Sequence, residues 1–482
     1  MSDDLRRRSV RGGAVTIANQ GAKFFIAVGS TAILARLLTP EDFGLIAMVM
    51  AIIGFIGIFK DLGLSMATIQ RADVNHAQVS TLFWINVGVS IFMMILIATL
   101  APALAWYYKE PRVVRITLIL AGTIIFSGLI VQHQALLRRQ MRFGVLALVE
   151  IVTMFVGFAI GVGCALAGFG YWSLVLIPVV REFAMMLGVW TFCGWRPGAP
   201  ARRSGARAMV SFGAHLTGFN VVNYFARNLD KILLGRYWGA TSLGFYNKAY
   251  QLLLLPIQQI NNPITSVAVP TLSRLQQEPE RYRAYYRRGV FLTVSIGMPV
   301  VAFLFVVADK AVLTLLGDQW LESVAIFRAL GPAAFMGTLN MATGWVYLSL
   351  GRTKRQFVWG IFSSAIIALA FVIGVRWGPI GVAFAYSIVL IVLPLPAIIY
   401  CFRISPLNLS DFGVAVWRPA LTSLSAAAAL FGIDRWYDPP LAVGIQLILD
   451  FVSYMILFVG IWVALPRGRQ TLRDILQMAR QL

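Results

Sequence analysis

Residues 14–36 read AVTIANQGAKFFIAVGSTAILAR, an apolar run interrupted by Asn19, Gln20 and Lys23 and closed by Arg36. Arg6, Arg7, Arg8 and Arg11 precede it, which is the charge order of a secretory signal. The run exceeds the roughly 7–15 residues of a signal core and lacks a small-residue cleavage site. Its length suits a helix crossing ~30 Å of hydrocarbon, which takes about 20 residues. The stretch therefore predicts a retained first membrane helix.

Outward from it, runs of the same length follow one another along the chain. Spans are expected near 14–36, 43–66, 81–106, 115–137, 144–166, 171–193, 207–234, 242–269, 286–308, 326–350, 356–376, 380–402, 414–433 and 442–465. Helices of this length satisfy their own backbone groups in lipid. The expected fold is thus all-α, a polytopic membrane protein of about fourteen transmembrane helices. With 59% hydrophobic and 13% charged residues, the 482-residue chain has too little polar surface to coat a soluble globule. No connection is longer than about 20 residues, so no soluble catalytic domain fits between spans.

The net charge of +21 does not point to nucleic acid, because the basic residues form short clusters between apolar runs and not one basic face. The clusters are Arg6 to Arg11, Arg138 to Arg142, Arg196 to Arg207, Arg281 to Arg288, Arg352 to Arg355 and Arg467 to Arg473. The connections between them are neutral, mixed or acidic, as in LLTPEDFG and DRWYDPP. Cytoplasmic loops are the ones enriched in Lys and Arg, so the alternation predicts an even span count with both termini in the cytoplasm. Lys109, Arg112 and Arg115 are awkwardly basic for an outside loop, and the connection near Arg403 is weakly basic for an inside one.

A shift of 200 residues aligns ARLLTPEDFGLIA, from Ala35, with GRYWGATSLGFYN, from Gly235. Arg36 falls on Arg236, Gly44 on Gly244, Gln20 on Asn220 and Lys23 on Asn223. GFGYWSLV and GPIGVAFAYS match at a slightly different offset. A duplicated unit of six spans keeps its orientation, so the halves relate by an axis along the membrane normal. The organisation expected is an N-terminal lobe over residues 1–206, a C-terminal lobe over 207–405, and an additional helix pair and tail over 406–482.

Charges inside spans are costly, so they usually face a partner or a watery path. Asn220, Asn223, Arg227, Asp230 and Lys231 recur at helical spacing on one stripe of the seventh span, as Thr16, Asn19, Gln20 and Lys23 do on the first. The eighth adds Lys248, Gln251, Gln258, Gln259, Asn261 and Asn262, with Pro256 and Pro263 expected to bend it. One reading is a hydrated cavity lined by Lys23, Arg227, Lys231 and Lys248, suited to phosphate groups, with the amides serving sugar hydroxyls. The other is structural, with Asp230 clamped to Arg227 or Lys231 and the long side chains reaching an interface. Glu150, Arg181 and Glu182 stand as an ion pair or, for Glu150, a proton-coupling group. His133 reads as a satisfied polar contact, and Lys60 and Asp61 as charges at a helix end.

No Gly-rich phosphate loop, HExxH or Gly-x-Ser-x-Gly occurs, so catalytic residues, cofactors and direct use of ATP are not expected. Three histidines argue against a His-rich metal centre, and Cys164, Cys193 and Cys401 lack ligand spacing and read as packing residues.

The stretch ARLLTPEDFGLIAMVMAIIGFIGIFKDLGLSMATIQR, Ala35 to Arg71, closely resembles the first hairpin of bacterial polysaccharide exporters of the Wzx type, most of all the colanic acid exporter branch. RNLDKILLGRYWGATSLGFYNKAYQL, Arg227 to Leu252, is similar to the matching hairpin of their second lobe. The resemblance implies the multidrug/oligosaccharidyl-lipid/polysaccharide superfamily, with two six-helix lobes, an extra helix pair and alternating access. It implies a flippase that turns polyprenyl-pyrophosphate-linked oligosaccharides to the outer leaflet of the bacterial plasma membrane, for exopolysaccharide or lipopolysaccharide biosynthesis. A polysaccharide polymerase and export machinery are the implied partners. A drug/cation antiporter of the same superfamily is an alternative, better served by an acidic first lobe. A membrane-embedded polymerase or ligase is a further one, which would need a substantial outside loop.

Overall fold

Every regular element among the described residues is a helix. The computed structural model describes residues 3–57, 65, 68–69, 74–201, 207–436, 440–466 and 468–469, with side chains from Asn19 onward except 56, 207–223 and 225–227. Lys60 and Asp61 lie outside the described residues, as do the side chains of Thr16, Asn220, Asn223 and Arg227.

The helices run α1 (Asp3–Leu37), α2 (Pro40–Gly57), α3 (His76–Tyr108), α4 (Arg112–Arg139), α5 (Phe143–Leu166), α6 (Trp172–Cys193) and α7 (Arg207–Arg274). They continue as α8 (Pro279–Val306), α9 (Ala308–Leu315), α10 (Glu322–Gly337), α11 (Asn340–Ser349), α12 (Thr353–Gly374), α13 (Gly378–Val392), α14 (Pro394–Phe402), α15 (Leu409–Trp436) and α16 (Val443–Ala464). Among the described residues, nine stretches are long and apolar enough to cross a bilayer. That count and the expectation of about fourteen are compatible, because residues 353–402 hold two of the expected spans, and α1, α2 and α7, which lie outside the nine, hold four more. Residues 353–402 make 50 residues, or about 75 Å of helix, and they turn back at a 3₁₀ step over Val375–Trp377 and at Gly378, whose φ is +71°. Gly374 and Gly381 fit that turn closely, since a methyl on Gly374 would lie 2.6 Å from the Gly381 carbonyl oxygen.

The other long stretch is α7, at 68 residues. It holds both expected spans, 207–234 and 242–269, and breaks at Gly239, with φ 77° and ψ −177°. The break falls in the connection expected between those two spans, and the backbone keeps helical dihedrals through Pro256 and Pro263. Gly170 before α6 and Gly378 at the start of α13 both have positive φ, so each of the two matched motifs GFGYWSLV and GPIGVAFAYS holds a left-handed glycine near the start of its helix.

The chain divides into two compact units, Met1–Gly244 and Phe245–Leu482. In the first, α3 packs on α4, α5 on α6, α4 on α6 and α1 on α5. Lipid is as apolar as a leucine core, so close packing and polar contacts, and not the hydrophobic effect, select these pairs. Glycines let the backbones approach: a methyl on Gly128 of α4 would lie 2.4 Å from Ser90 Oγ of α3, and one on Gly157 of α5 would lie 3.1 Å from the Ile177 carbonyl oxygen of α6. Between α3 and α4 a buried polar chain runs from Thr68 Oγ1, donating to Gln132 Oε1 at 2.9 Å, to Gln132 Nε2, donating to Asn86 Oδ1 at 2.9 Å. His133 is buried and stacked on Trp190 at 4.6 Å. The segment after α6 lies along α3, with Trp84 Nε1 donating to the Gly198 carbonyl at 2.9 Å and the Gly198 amide donating to Ser80 Oγ at 3.0 Å.

In the second unit, α15 packs along α8 and α16 packs on α15. One core gathers Tyr282, Tyr286, Trp345, Tyr347, Cys401 and Phe402; another joins Phe303 and Val307 to Ala426, Leu430 and Tyr454. Two ionic ties accompany that packing. Arg283 Nε donates to Asp411 Oδ2 at 2.9 Å, and Lys310 Nζ reaches Asp450 Oδ2 at 2.7 Å and Asp434 Oδ1 at 3.2 Å. Cys193 and Cys401 are buried and Cys164 half-buried, all unpaired in disulfides.

Candidate functional site

Asn19 and Lys23 stand four residues apart, hence one turn apart on the same face of α1. That face lies against α5, where Glu150 sits between apolar neighbours. Lys23 Nζ forms an ion pair with Glu150 Oε2, and Asn19 Nδ2 donates to the same oxygen at 3.0 Å. Asn19 is buried, and its Oδ1 has no hydrogen-bond partner among the described residues. Lys23 and Glu150 keep 34% and 24% of their side-chain surface exposed, so the pair is reachable from outside the packed interior. Gln20 is half-buried one position on.

The other expected residues separate into distinct settings. Glu182 accepts from Ser127 Oγ at 3.2 Å, whereas Arg181 is exposed and makes no ion pair among the described residues. On α7, Asp230 is buried and its Oδ1 accepts from the Lys231 backbone amide at 2.8 Å, while Lys231 Nζ donates to Asn228 Oδ1 at 3.3 Å. Lys248 belongs to the second unit, is buried, and donates to Gln251 Oε1 at 3.4 Å. The structure thus brings Asn19, Lys23 and Glu150 together and leaves Arg181 apart from them.

Two features escape sequence reading. The basic connection around Lys109 and Arg112 is locally neutralised. Arg112 pairs with Glu41 at the start of α2 and with Glu110 at 2.8 Å. The Arg112 hydrogen bond holds the Glu110 carboxyl below its ordinary value of 4.5. The second is a close glycine contact. A methyl on Gly44 would fall 1.7 Å from the Ala240 carbonyl oxygen, and one on Gly244 would fall 1.9 Å from the Pro40 carbonyl oxygen. The 200-residue shift supplied its signal, since it carries 40 onto 240 and 44 onto 244.

Among the described residues, no three His, Cys, Asp or Glu side chains gather as a metal site. The chain is 28% identical over 386 residues to the teichuronic acid biosynthesis protein TuaB of Bacillus subtilis (strain 168), covering 79% of each chain. It is 24% identical over 413 residues to the lipopolysaccharide biosynthesis protein WzxC of Escherichia coli (strain K12), covering 83% of this chain and 82% of that one. In fold it matches the lipid II flippase MurJ in an inward closed conformation, with TM-score 0.73 and 15% identity over 94% of this chain and 99% of that one. A family model described as "Polysaccharide biosynthesis protein" matches residues 33–325. With a bundle of membrane-length helices and that match over more than half its length, the chain belongs to the polysaccharide biosynthesis protein family.

Proposed function

We propose that this protein is a flippase of the bacterial plasma membrane. It moves polyprenyl-diphosphate-linked oligosaccharide units from the inner to the outer leaflet for surface polysaccharide synthesis. The observation that carries the reading is Lys23: a cation inside the first membrane helix, partly exposed and flanked by the amides Asn19 and Gln20. Ammonium attracts the diphosphate, and the amides offer donors and acceptors to sugar hydroxyls. The names of TuaB and WzxC, which concern teichuronic acid and lipopolysaccharide, support a glycan cargo.

In this reading the lipid tail stays in the bilayer while two six-helix lobes, 1–206 and 207–405, alternate access to the headgroup. Residues 406–482 form the additional helix pair and tail, and both termini are cytoplasmic. Arg227, Lys231, Lys248, Asn220 and Asn223 belong to the same polar path. A polymerase and export machinery receive the product. The matched hairpins at Arg36 and Arg236 support the lobes, and the alternation of basic connections supports the orientation.

The test is leaflet exchange of a fluorescent polyprenyl-diphosphate oligosaccharide in vesicles containing the purified chain. Wild type is expected to exchange it, and Lys23→Glu to lose at least about 90% of the rate, since ~1.4 kcal/mol of lost headgroup attraction is already tenfold. Exchange by Lys23→Glu at the wild-type rate and equal protein level defeats the reading.

A further inference from the structure

Lys23 is not a vacant cation. Glu150 Oε2 already takes its ammonium group, and Asn19 Nδ2 donates to the same oxygen. A diphosphate approaching Lys23 therefore meets a carboxylate that occupies its place and repels its charge. Resting on the headgroup reading above, we infer that Glu150 is a proton-gated competitor for Lys23: the diphosphate takes the lysine as Glu150 takes a proton, and Asn19 serves Glu150 in both states.

The side chain of Asn19 supplies the second observation. It is buried, one end of its amide donates to Glu150, and the other end, Oδ1, has no donor among the described residues. A buried carbonyl oxygen without a donor is costly. An ionised carboxylate has no hydrogen to give it, whereas a protonated one does. Turning the amide by half a rotation presents Oδ1 to the Glu150 hydroxyl. Asparagine is thus suited to a carboxyl group that exists in two protonation states, since it carries a donor and an acceptor on one planar group. The exchange forms one O–H bond on Glu150, with a proton taken up from the medium. It breaks only the hydrogen-bonded pair with Lys23, whose ammonium keeps its charge for the phosphate oxygens.

Neighbouring charges leave Lys23 as the partner that decides the exchange. Three helices pack on α5, namely α1, α4 and α6. From α1 comes Lys23; from α4, Arg138 acts on Glu150 at longer range, and His133 is turned into its stack with Trp190. From α6, Arg181 lies beside Gly157, two turns along α5, and Glu182 is held by Ser127.

The experiment is calorimetric binding of a polyprenyl-diphospho-N-acetylglucosamine to the full chain in nanodiscs. This diphosphate diester keeps a constant charge near neutral pH, so any proton taken up belongs to the protein. Wild type is expected to bind more tightly as pH falls, by up to tenfold per unit for one linked proton between about pH 8 and about pH 6. Titrations in two buffers of different ionisation enthalpy should count up to about one proton taken up per ligand. Glu150→Gln, close in size and unable to ionise, is expected to bind more tightly than wild type at about pH 8, with the pH dependence gone. Zero proton uptake by wild type, or a Glu150→Gln variant with wild-type pH dependence, overturns the inference. Lys23→Gln separates this from failure of the headgroup reading: undiminished binding by that variant removes the headgroup reading itself, whereas weakened binding beside a pH-indifferent wild type removes the competitor alone.

Discussion

Gly44 and Gly244 are reciprocal partners: Gly44 abuts the Ala240 carbonyl as Gly244 abuts the Pro40 carbonyl. The shift of 200 residues that aligns the two hairpins carries each contact onto the other. In a self-complementary contact around a two-fold axis, i meets j and j meets i. The 200-residue match in the sequence is therefore also a geometric relationship between α2 and α7.

Neither glycine tolerates a side chain in this arrangement, because the clash is with backbone and not with a movable side-chain end. Gly44→Ala and Gly244→Ala should each destabilise it by about 2 kcal/mol, the middle of the range for overpacking. The double variant should cost less than the sum, since the first methyl already parts the helices that the second would meet. Thermal unfolding of the purified variants in detergent measures both effects. Additive losses would show that the two glycines are not one contact.

The Lys23–Glu150 pair separates folding from transport by a charge swap. Lys23→Glu alone sets two carboxylates together and should cost stability, by about 1–2 kcal/mol for a pair that keeps part of its surface exposed. Combining it with Glu150→Lys restores the pair from opposite helices, so stability should return. Leaflet exchange should stay low, because the cation then projects from α5 and not from the α1 face that carries Asn19. If the swap restores exchange together with stability, Lys23 is a structural partner only.

The cluster of Arg112, Glu110 and Glu41 yields a pH dependence with a definite sign. The Glu110 carboxyl is held below 4.5, chiefly by its hydrogen bond from Arg112. A carboxyl depressed in the folded state stabilises the fold above its unfolded value and loses that contribution as pH falls through the folded one. Glu110→Gln should therefore cost stability at neutral pH and nothing once the medium is acid enough to protonate the wild-type residue, well below pH 4.5. Arg112 is 40% exposed, so solvent screening keeps the neutral-pH cost under about 1 kcal/mol. Melting curves of both proteins from neutral to acid pH measure the difference; a gap that persists in acid contradicts the assignment.

What the sequence discloses here follows from how far each interaction reaches along the chain. Hydrocarbon thickness sets a local length, so the apolar runs at 81–106 and 144–166 coincide with α3 and α5. GFGYWSLV and GPIGVAFAYS match in the sequence, and each holds a positive-φ glycine, Gly170 and Gly378, near a helix start, since turn chemistry is local too. The partner of Lys23 was not, since Glu150 lies 127 residues away and nothing in either run names the other. Arg112 looked misplaced for the same reason: one of its carboxylates, Glu41, is 71 residues upstream. The break of α7 falls in the connection expected between spans 207–234 and 242–269, a local feature of the chain. Gly239 has positive φ, which an L side chain resists, and the break lies there.

Lys310 makes the strongest case for how the C-terminal helix pair is held. Its ammonium group joins Asp434 near the end of α15 to Asp450 two turns into α16, while α9 carries it at the corner after α8. One lysine against two carboxylates leaves excess negative charge in a poorly solvated place, so the lysine cannot be removed without placing two anions side by side. The neighbouring charges do not replace it: Asp309 is engaged by Arg328 at 3.4 Å, and Arg435 is exposed. Lys310→Met should cost about 3 kcal/mol and loosen α15 and α16 from α9, giving protease cleavage in the connection after Trp436. Adding Asp434→Asn and Asp450→Asn to Lys310→Met removes the stranded charges and should recover most of that loss, because neutral groups avoid the desolvation cost. A triple variant as unstable and as readily cleaved as Lys310→Met would mean that packing of the lysine stem, and not its charge, ties the pair to the rest of the unit.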